Sequence, residues 1–188
     1  MRDYYQELTL TRSSGQSMDF VIRSCTEEDL ADIMALQQKV YDDMNAPELY
    51  AIVGEEEIHE SLLEDYCYGT YHDGKLIAFT MMIANRISYR NYGTYIGYPE
   101  DRQAKCVSLE ITIVDADYRG FGLQKQFVAL REKEALRAGA EEALVTIAPG
   151  NKHSLANFIK SGYEIIETRP LYEGAVRHIL SKNLLQNP

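Results

Sequence analysis

The spacing of apolar positions predicts short strands and helices from residue 18 onward. Residues 20–24 read as a strand. Thr26 stands where a helix cap belongs, and Asp29 follows three residues on, a near match to the capping box, which prefers Glu or Gln there. Leu30, Ile33, Met34, Val40 and Tyr41 then recur at helical spacing. Residues 55–63 predict a second, short and very acidic helix whose apolar edge is Ile58 and Leu62. Residues 66–72 and 75–84 are strands joined by Asp73-Gly74, a pair that suits a two-residue type I′ turn, where both positions take positive φ. Residues 86–105 read as irregular and rich in tyrosine. A strand follows at 106–114. The helix at 122–138 turns Leu123, Phe127, Leu130 and Ala135 inward and stops at Gly139. Residues 143–147 form a short buried strand. The helix at 153–160 gathers Leu155, Phe158 and Ile159 on one face and is closed by Gly162. Two last strands, 163–168 and 176–181, turn through Glu173-Gly174.

The order β-α-α-β-β-β-α-β-α-β-β predicts an α/β (α+β) fold with a mixed central sheet of six to seven strands and helices on both faces. The run Ser13-Ser-Gly-Gln-Ser17 makes residues 1–17 a loose arm. Residues 18–188 then form one domain, as a length of 188 residues suggests.

Composition narrows the function. Hydrophobic residues are 45% of the chain, too many for a disordered protein. Nineteen Lys and Arg against 29 Asp and Glu give a net charge of −10, which argues against a nucleic-acid partner and suits a cationic substrate or simple solubility. Three cysteines, Cys25, Cys67 and Cys106, stand far apart, so neither a zinc knuckle nor a disulfide framework is expected, and the usage fits a reducing cytoplasm. Residues 1–17 lack the apolar run of a signal peptide. The longest mostly apolar run, 76–84, falls far short of the roughly 20 residues of a membrane span.

The chemistry concentrates in Val114-Asp-Ala-Asp-Tyr-Arg-Gly-Phe-Gly-Leu-Gln124, which leaves a strand and enters a helix. Gly120 and Gly122 permit a sharp turn. The N–H groups of that turn and of the first helical turn converge, a nest that binds an anion, typically a phosphate. Arg119 and Lys125 add charge. The same residues also suit a plain glycine turn before a helix. A second strand-to-helix segment runs Ala148-Pro-Gly-Asn-Lys-His-Ser-Leu-Ala-Asn-Phe-Ile-Lys-Ser-Gly-Tyr163. Asn151 and Ser154 fit either a ligand contact or a helix cap.

Together the two segments resemble the GNAT N-acetyltransferase superfamily, and the resemblance covers about residues 18–185. The family writes its phosphate loop Gln/Arg-x-x-Gly-x-Gly/Ala; Arg119 and Gly122 match, while Gln124 replaces the small residue. The run from Asn151 through Ser154 and Phe158 to Gly162-Tyr163 resembles the second cofactor segment. The chain is most similar to a bacterial branch with a Tyr-Arg-Gly-x-Gly-Leu-Gln loop and a tyrosine-rich insertion before it.

The resemblance implies acetyl-coenzyme A as cosubstrate. Its pyrophosphate is expected on the backbone of Arg119, Gly120, Phe121, Gly122, Leu123, Gln124 and Lys125. Its pantetheine arm is expected along strand 106–114 in a splayed cofactor cleft. Its acetyl carbonyl is expected near a backbone N–H of Thr112, Ile113 or Val114, a small oxyanion hole. Asn151, Ser154 and Phe158 are expected to complete the cofactor contacts. Dimers are frequent in the family, so a homodimer is an open option.

Acetyl transfer to an amine needs a base for the amine and an acid for the departing thiolate. On strand 106–114, Val107, Leu109, Ile111 and Ile113 fall on one face and Ser108, Glu110 and Thr112 on the other. Glu110 is therefore the candidate base, direct or through water; a structural ion pair is the competing reading. Many relatives carry Tyr as the acid at the position of Phe158, which has no proton to donate. Tyr163, Tyr172 or water could replace it. Tyr92 and Tyr95, in the insertion with Tyr89 and Tyr98, are candidates for binding a cationic or aromatic acceptor, or for packing a lid. Gly69 to Leu76 nearly matches a P-loop but lies across a hairpin, and His59-Glu60 lacks a second His, so no metal is expected. The sequence thus predicts an acetyl-coenzyme A-dependent N-acetyltransferase acting on a small-molecule amine. The alternatives are a non-catalytic acyl-coenzyme A-binding regulatory domain and a protein or peptide N-acetyltransferase.

Overall fold

The computed structural model describes residues 3–46, 49–84 and 86–186. Its strands are β1 (Tyr5–Thr11), β2 (Ser17–Ser24), β3 (Tyr66–His72), β4 (Lys75–Ile83), β5 (Cys106–Val114), β6 (Glu142–Ile147), β7 (Glu164–Leu171) and β8 (Ala175–Asn183). Its helices are α1 (Leu30–Asp42), α2 (Glu55–Glu64), α3 (Tyr92–Tyr95), α4 (Glu100–Gln103), α5 (Leu123–Arg137) and α6 (Lys152–Lys160). Eight strands replace the six to seven expected, and the addition is β1. The chain divides into two compact units: everything up to Met81 with Ile111–Phe127, and Met82–Glu110 with everything from Val128.

In the first unit the strand order is β1-β2-β3-β4-β5. The expected loose arm is instead a strand; residues 1 and 2 of it lie outside the described residues. β1 pairs antiparallel with β2 from Tyr5↔Arg23 to Thr11↔Ser17. The chain reverses at Gly15, whose φ of +87° is the left-handed conformation glycine adopts at no steric cost. Cross-strand bonds between Thr9 and Asp19 (2.6 Å) and between Thr11 and Ser17 (2.7 Å) reinforce the pairing. Of the polar residues that suggested a loop, residues 13–16 lie in the turn itself and Ser17 opens β2. The β3–β4 hairpin turns as expected, with Asp73 at φ +49° and Gly74 at +78°.

The core of this unit gathers Ile33, Leu36 and Val40 of α1, Ile58 and Leu62 of α2, and Phe79, Met81, Ile111 and Ile113 of the sheet. Beside it, Asp29 does more than cap a helix. Its carboxylate accepts from the Thr26 N–H (2.8 Å), from both Arg23 amino groups (2.7 and 2.9 Å) and from the Tyr71 hydroxyl (2.8 Å). Burial alone pushes this carboxyl up, but the donors outweigh it and hold Asp29 below the usual range. A depressed folded pKa stabilises the fold above the unfolded value and loses that stability as pH falls through the folded value. Asp29→Asn is therefore expected to cost about 1.5–3 kcal/mol at pH 7. The gap from wild type should close as pH drops below about 4. Urea melts across pH check this; a gap that persists in acid contradicts it.

In the second unit β5 and β6 run parallel, pairing from Cys106↔Glu142 to Leu109↔Val145. β6 pairs antiparallel with β8, and β8 with β7, which bulges between Ile165 and Glu167. The segment expected to be irregular carries the two short helices α3 and α4. Asn91 organises it, accepting from Gly93 N–H (2.9 Å) and donating to the Arg86 and Gln103 carbonyls (2.9 Å each). Glu142 fastens it to the sheet by accepting from Tyr98 (3.0 Å), Arg102 (3.1 Å) and Ser181 (2.5 Å).

Candidate active site

The glycine loop belongs to the first unit. Asp115 ends β5, its N–H bonded to the Ile77 carbonyl (2.9 Å). Its buried carboxylate accepts from Lys39 Nζ (2.7 Å) and the Asp117 N–H (3.2 Å). Burial pushes Asp115 up, and Lys39 with that N–H more than reverses the shift. A 3-10 turn, Ala116–Tyr118, leads into the loop. Two aromatic residues anchor it. Phe121 meets Phe20 edge-on at 5.3 Å, and Tyr118 meets Phe20 at 6.4 Å and His72 at 5.6 Å. Between and beyond these anchors, Gly120 and Gly122 take φ of +88° and +79°. A Cβ on Gly122 would have no heavy atom within 4 Å, so the turn faces open space.

The Gln126 N–H bonds the Gly122 carbonyl (3.1 Å), so the second glycine opens the first hydrogen-bonded turn of α5. No acidic residue sits in that turn. The helix dipole and Lys125 thus act with one sign. Just upstream, Thr112 is bonded to the Thr80 hydroxyl (2.8 Å), and Ile113 is core. Arg119 Nε reaches the Val114 carbonyl at 3.4 Å.

The second unit holds Glu110 and the tyrosine segment. Pairing of β5 with β6 stops at Leu109↔Val145, one residue before Glu110 and Thr146. Glu110 Oε2 accepts from Arg90 Nη2 at 2.9 Å, and the pair is enclosed, with side-chain exposures of 10% and 2%. The Tyr92 N–H bonds Ser108 Oγ (2.8 Å), placing the tyrosine segment on the Ser108–Glu110 face. The Thr146 and Tyr172 hydroxyls lie 2.9 Å apart. Tyr172 takes a left-handed φ of +43°, a strained conformation for an aromatic residue. Burial pushes its phenol up; bonds to the Thr146 and Tyr92 hydroxyls offset part of this, and Glu110 pushes it further up. Tyr172 is therefore protonated at neutral pH. Tyr95 stacks on Tyr92 (5.7 Å) and meets Tyr172 edge-on (6.4 Å).

Several expected contacts have structural roles here. Tyr92 is buried against Cys106 and Leu144, so its ring is core and not an open binding surface. Asn151 caps α6 by accepting the Ser154 N–H (3.1 Å). Phe158 is 3% exposed and packs edge-on to buried Tyr163 at 5.0 Å. Arg90 and Thr146 escaped sequence reasoning, because neither stands in a motif. Cys25, Cys67 and Cys106 are free and buried. Burial pushes the thiols of Cys25 and Cys106 up to about 12. Among the described residues no group of three or more His, Cys, Asp or Glu could hold a metal ion, and no helix is long and apolar enough to cross a membrane.

A mixed sheet, a parallel pair that parts early and a glycine turn feeding a helix define an α/β protein of the kind that holds an anionic group on its backbone. A family model described as the acetyltransferase (GNAT) family matches residues 30–163. The chain belongs to that family, and it is an N-acetyltransferase. No curated protein is a significant match. Solved structures share the fold. YncA, a putative acetyltransferase from Salmonella typhimurium with its cofactor acetyl-CoA, is 16% identical with a TM-score of 0.66 over 89% of this chain and 95% of that one. PaiA N-acetyltransferase from Thermoplasma acidophilum, in complex with coenzyme A, is 14% identical with a TM-score of 0.66 over 88% and 99%. The ribosomal-protein-alanine N-acetyltransferase from Brucella melitensis is 19% identical with a TM-score of 0.66 over 86% and 98%.

Proposed function

We propose that this enzyme transfers the acetyl group of acetyl-coenzyme A to the primary amine of a small molecule. Residues 18–188 act as one acetyltransferase domain, to which the β1 strand is added. The observation that carries the reading is the open nest of Gly120 and Gly122 at the start of α5. The Salmonella and Thermoplasma neighbours, bound to acetyl-CoA and coenzyme A, support the cosubstrate. The pyrophosphate rests on the loop backbone between Arg119 and Lys125. The amide arm runs along the backbone of Thr112 to Val114, whose side chains are engaged elsewhere at Thr112, bonded to Thr80, and at Ile113, in the core.

Glu110 attracts the charged acceptor and takes its proton, directly or through water. Tyr172 supplies the proton that the thiolate needs, the role Phe158 cannot fill. The amine nitrogen bonds to the acetyl carbon, the carbon–sulfur bond breaks, and the thiol leaves protonated. A tyrosine segment fastened over the Ser108–Glu110 face supports a small acceptor over a long peptide. The Brucella neighbour, which acts on a ribosomal-protein alanine, supports a protein amino terminus as a second reading.

Calorimetric titration with acetyl-coenzyme A, then thiol release against a panel of small amines and alanine-terminated peptides, tests the proposal. Binding with release on amines is the expected result. Release on peptides alone supports the second reading. Absence of binding overturns both.

A further inference from the structure

The tip of the β1–β2 hairpin reaches the glycine loop. Arg12 is held there by the turn itself: its N–H bonds the Gln16 carbonyl (3.0 Å), and its carbonyl accepts from Gly15 (2.8 Å). Its guanidinium carbon stands over the Phe121 ring, 5.0 Å from the centroid. Its Cβ lies 3.8 Å from where a Cβ on Gly120 would be. Arg12 Nη2 donates to Gln16 Oε1, while the buried Nε finds no acceptor among the described residues. A guanidinium spent face-on against a ring keeps its N–H edge for an acceptor. The residue it covers, Phe121, sits between the two glycines of the nest, and the opening turn of α5 is free of acid. The buried carboxylate just before the loop, Asp115, is already paired with Lys39 at 2.7 Å.

We propose that Arg12 is a phosphate-binding residue: the N-terminal hairpin brings a third cation, beside Arg119 and Lys125, to the phosphates of the cosubstrate. This rests on the loop being the coenzyme A site, and it gives β1 a purpose the strand order alone does not. A guanidinium edge donating to phosphate oxygens makes charge-assisted bonds, which are shorter and stronger than neutral ones. Phe121 holds the guanidinium in place, so little side-chain entropy is lost when the anion arrives.

The test is titration of wild type, Arg12→Gln and Arg12→Lys with coenzyme A and with its analogue lacking the 3′-phosphate, at two salt concentrations. Arg12→Gln is expected to weaken coenzyme A by about ten- to a hundredfold and to flatten the salt dependence, with Arg12→Lys recovering part of the loss. A penalty that vanishes with the analogue assigns Arg12 to the 3′-phosphate; one that persists assigns it to the pyrophosphate. Equal affinity of wild type and a folded Arg12→Gln, verified by thermal melting, overturns the inference and leaves the coenzyme A site standing. Failure of wild type itself to bind coenzyme A overturns the site and the inference together. Arg12 lies on a half-exposed hairpin tip, so the variants are expected to fold.

Discussion

Glu110→Gln is expected to lower kcat/KM for the acceptor by about 10²–10⁴-fold, the usual worth of a positioned base, with cosubstrate affinity nearly unchanged. The substitution keeps the shape of the side chain and removes its charge. It also removes the charge that faces Arg90, whose guanidinium sits 2.9 Å away in an enclosed place. Breaking a buried pair from one side costs about 3–5 kcal/mol, so a fall in activity alone does not separate a base from a structural ion pair. The neutral double variant, Glu110→Gln with Arg90→Gln, separates them. If Glu110 only balances Arg90, removing both charges restores stability and turnover together. If Glu110 takes the proton, stability recovers and kcat does not. Tyr172→Phe completes the experiment. It keeps the ring against Tyr95 and loses the hydroxyl bonded to Thr146. It is expected to slow turnover without weakening the cosubstrate, and more so with poor thiol leaving groups. Wild-type rates in Tyr172→Phe remove Tyr172 as the donor.

Gly122→Val is expected to weaken coenzyme A by about a hundredfold or more. Two costs act together. At φ +79° a β-branched residue is strained, by about 1–3 kcal/mol. Its side chain also fills space that no protein atom occupies within 4 Å, where the anion approaches the backbone. Losing two charge-assisted bonds at about 1.5–3 kcal/mol each accounts for the size of the effect. Gly139→Val is the control, because Gly139 has φ +83°, and a Cβ there also meets nothing within 4 Å. Both variants should lose stability, and only Gly122→Val should lose the ligand. Equal binding by the two would mean that the turn is merely a turn.

The loop was legible because it is local: glycines two apart, an arginine before them and a helix after them stand in one stretch of chain. The Asp73-Gly74 hairpin was legible for the same reason. The tyrosine segment was not, because α3 and α4 are one turn each and depend on Asn91 bonding across to Arg86 and Gln103. β1 was missed because the polar run at residues 13–17 made the whole arm read as loose, although Leu8 and Leu10 alternate with Glu7, Thr9 and Thr11; its order comes from the ladder with β2.

The sequence by itself determined the order of the strands and longer helices from β2 onward, the glycine turn and the face on which Glu110 lies, since each follows from periodicity or from backbone freedom at a few adjacent residues. Only the tertiary structure decided that Arg90 pairs with Glu110, that Tyr172 meets Thr146, that Phe158 and Tyr92 are core, and that Arg12 lies on Phe121. Those partners are separated along the chain by 20, 26 and more than 100 residues for Arg90–Glu110, Thr146–Tyr172 and Arg12–Phe121. Spacing within one element carries no information about them, because such contacts are made only when strands and loops distant in sequence pack into one folded surface.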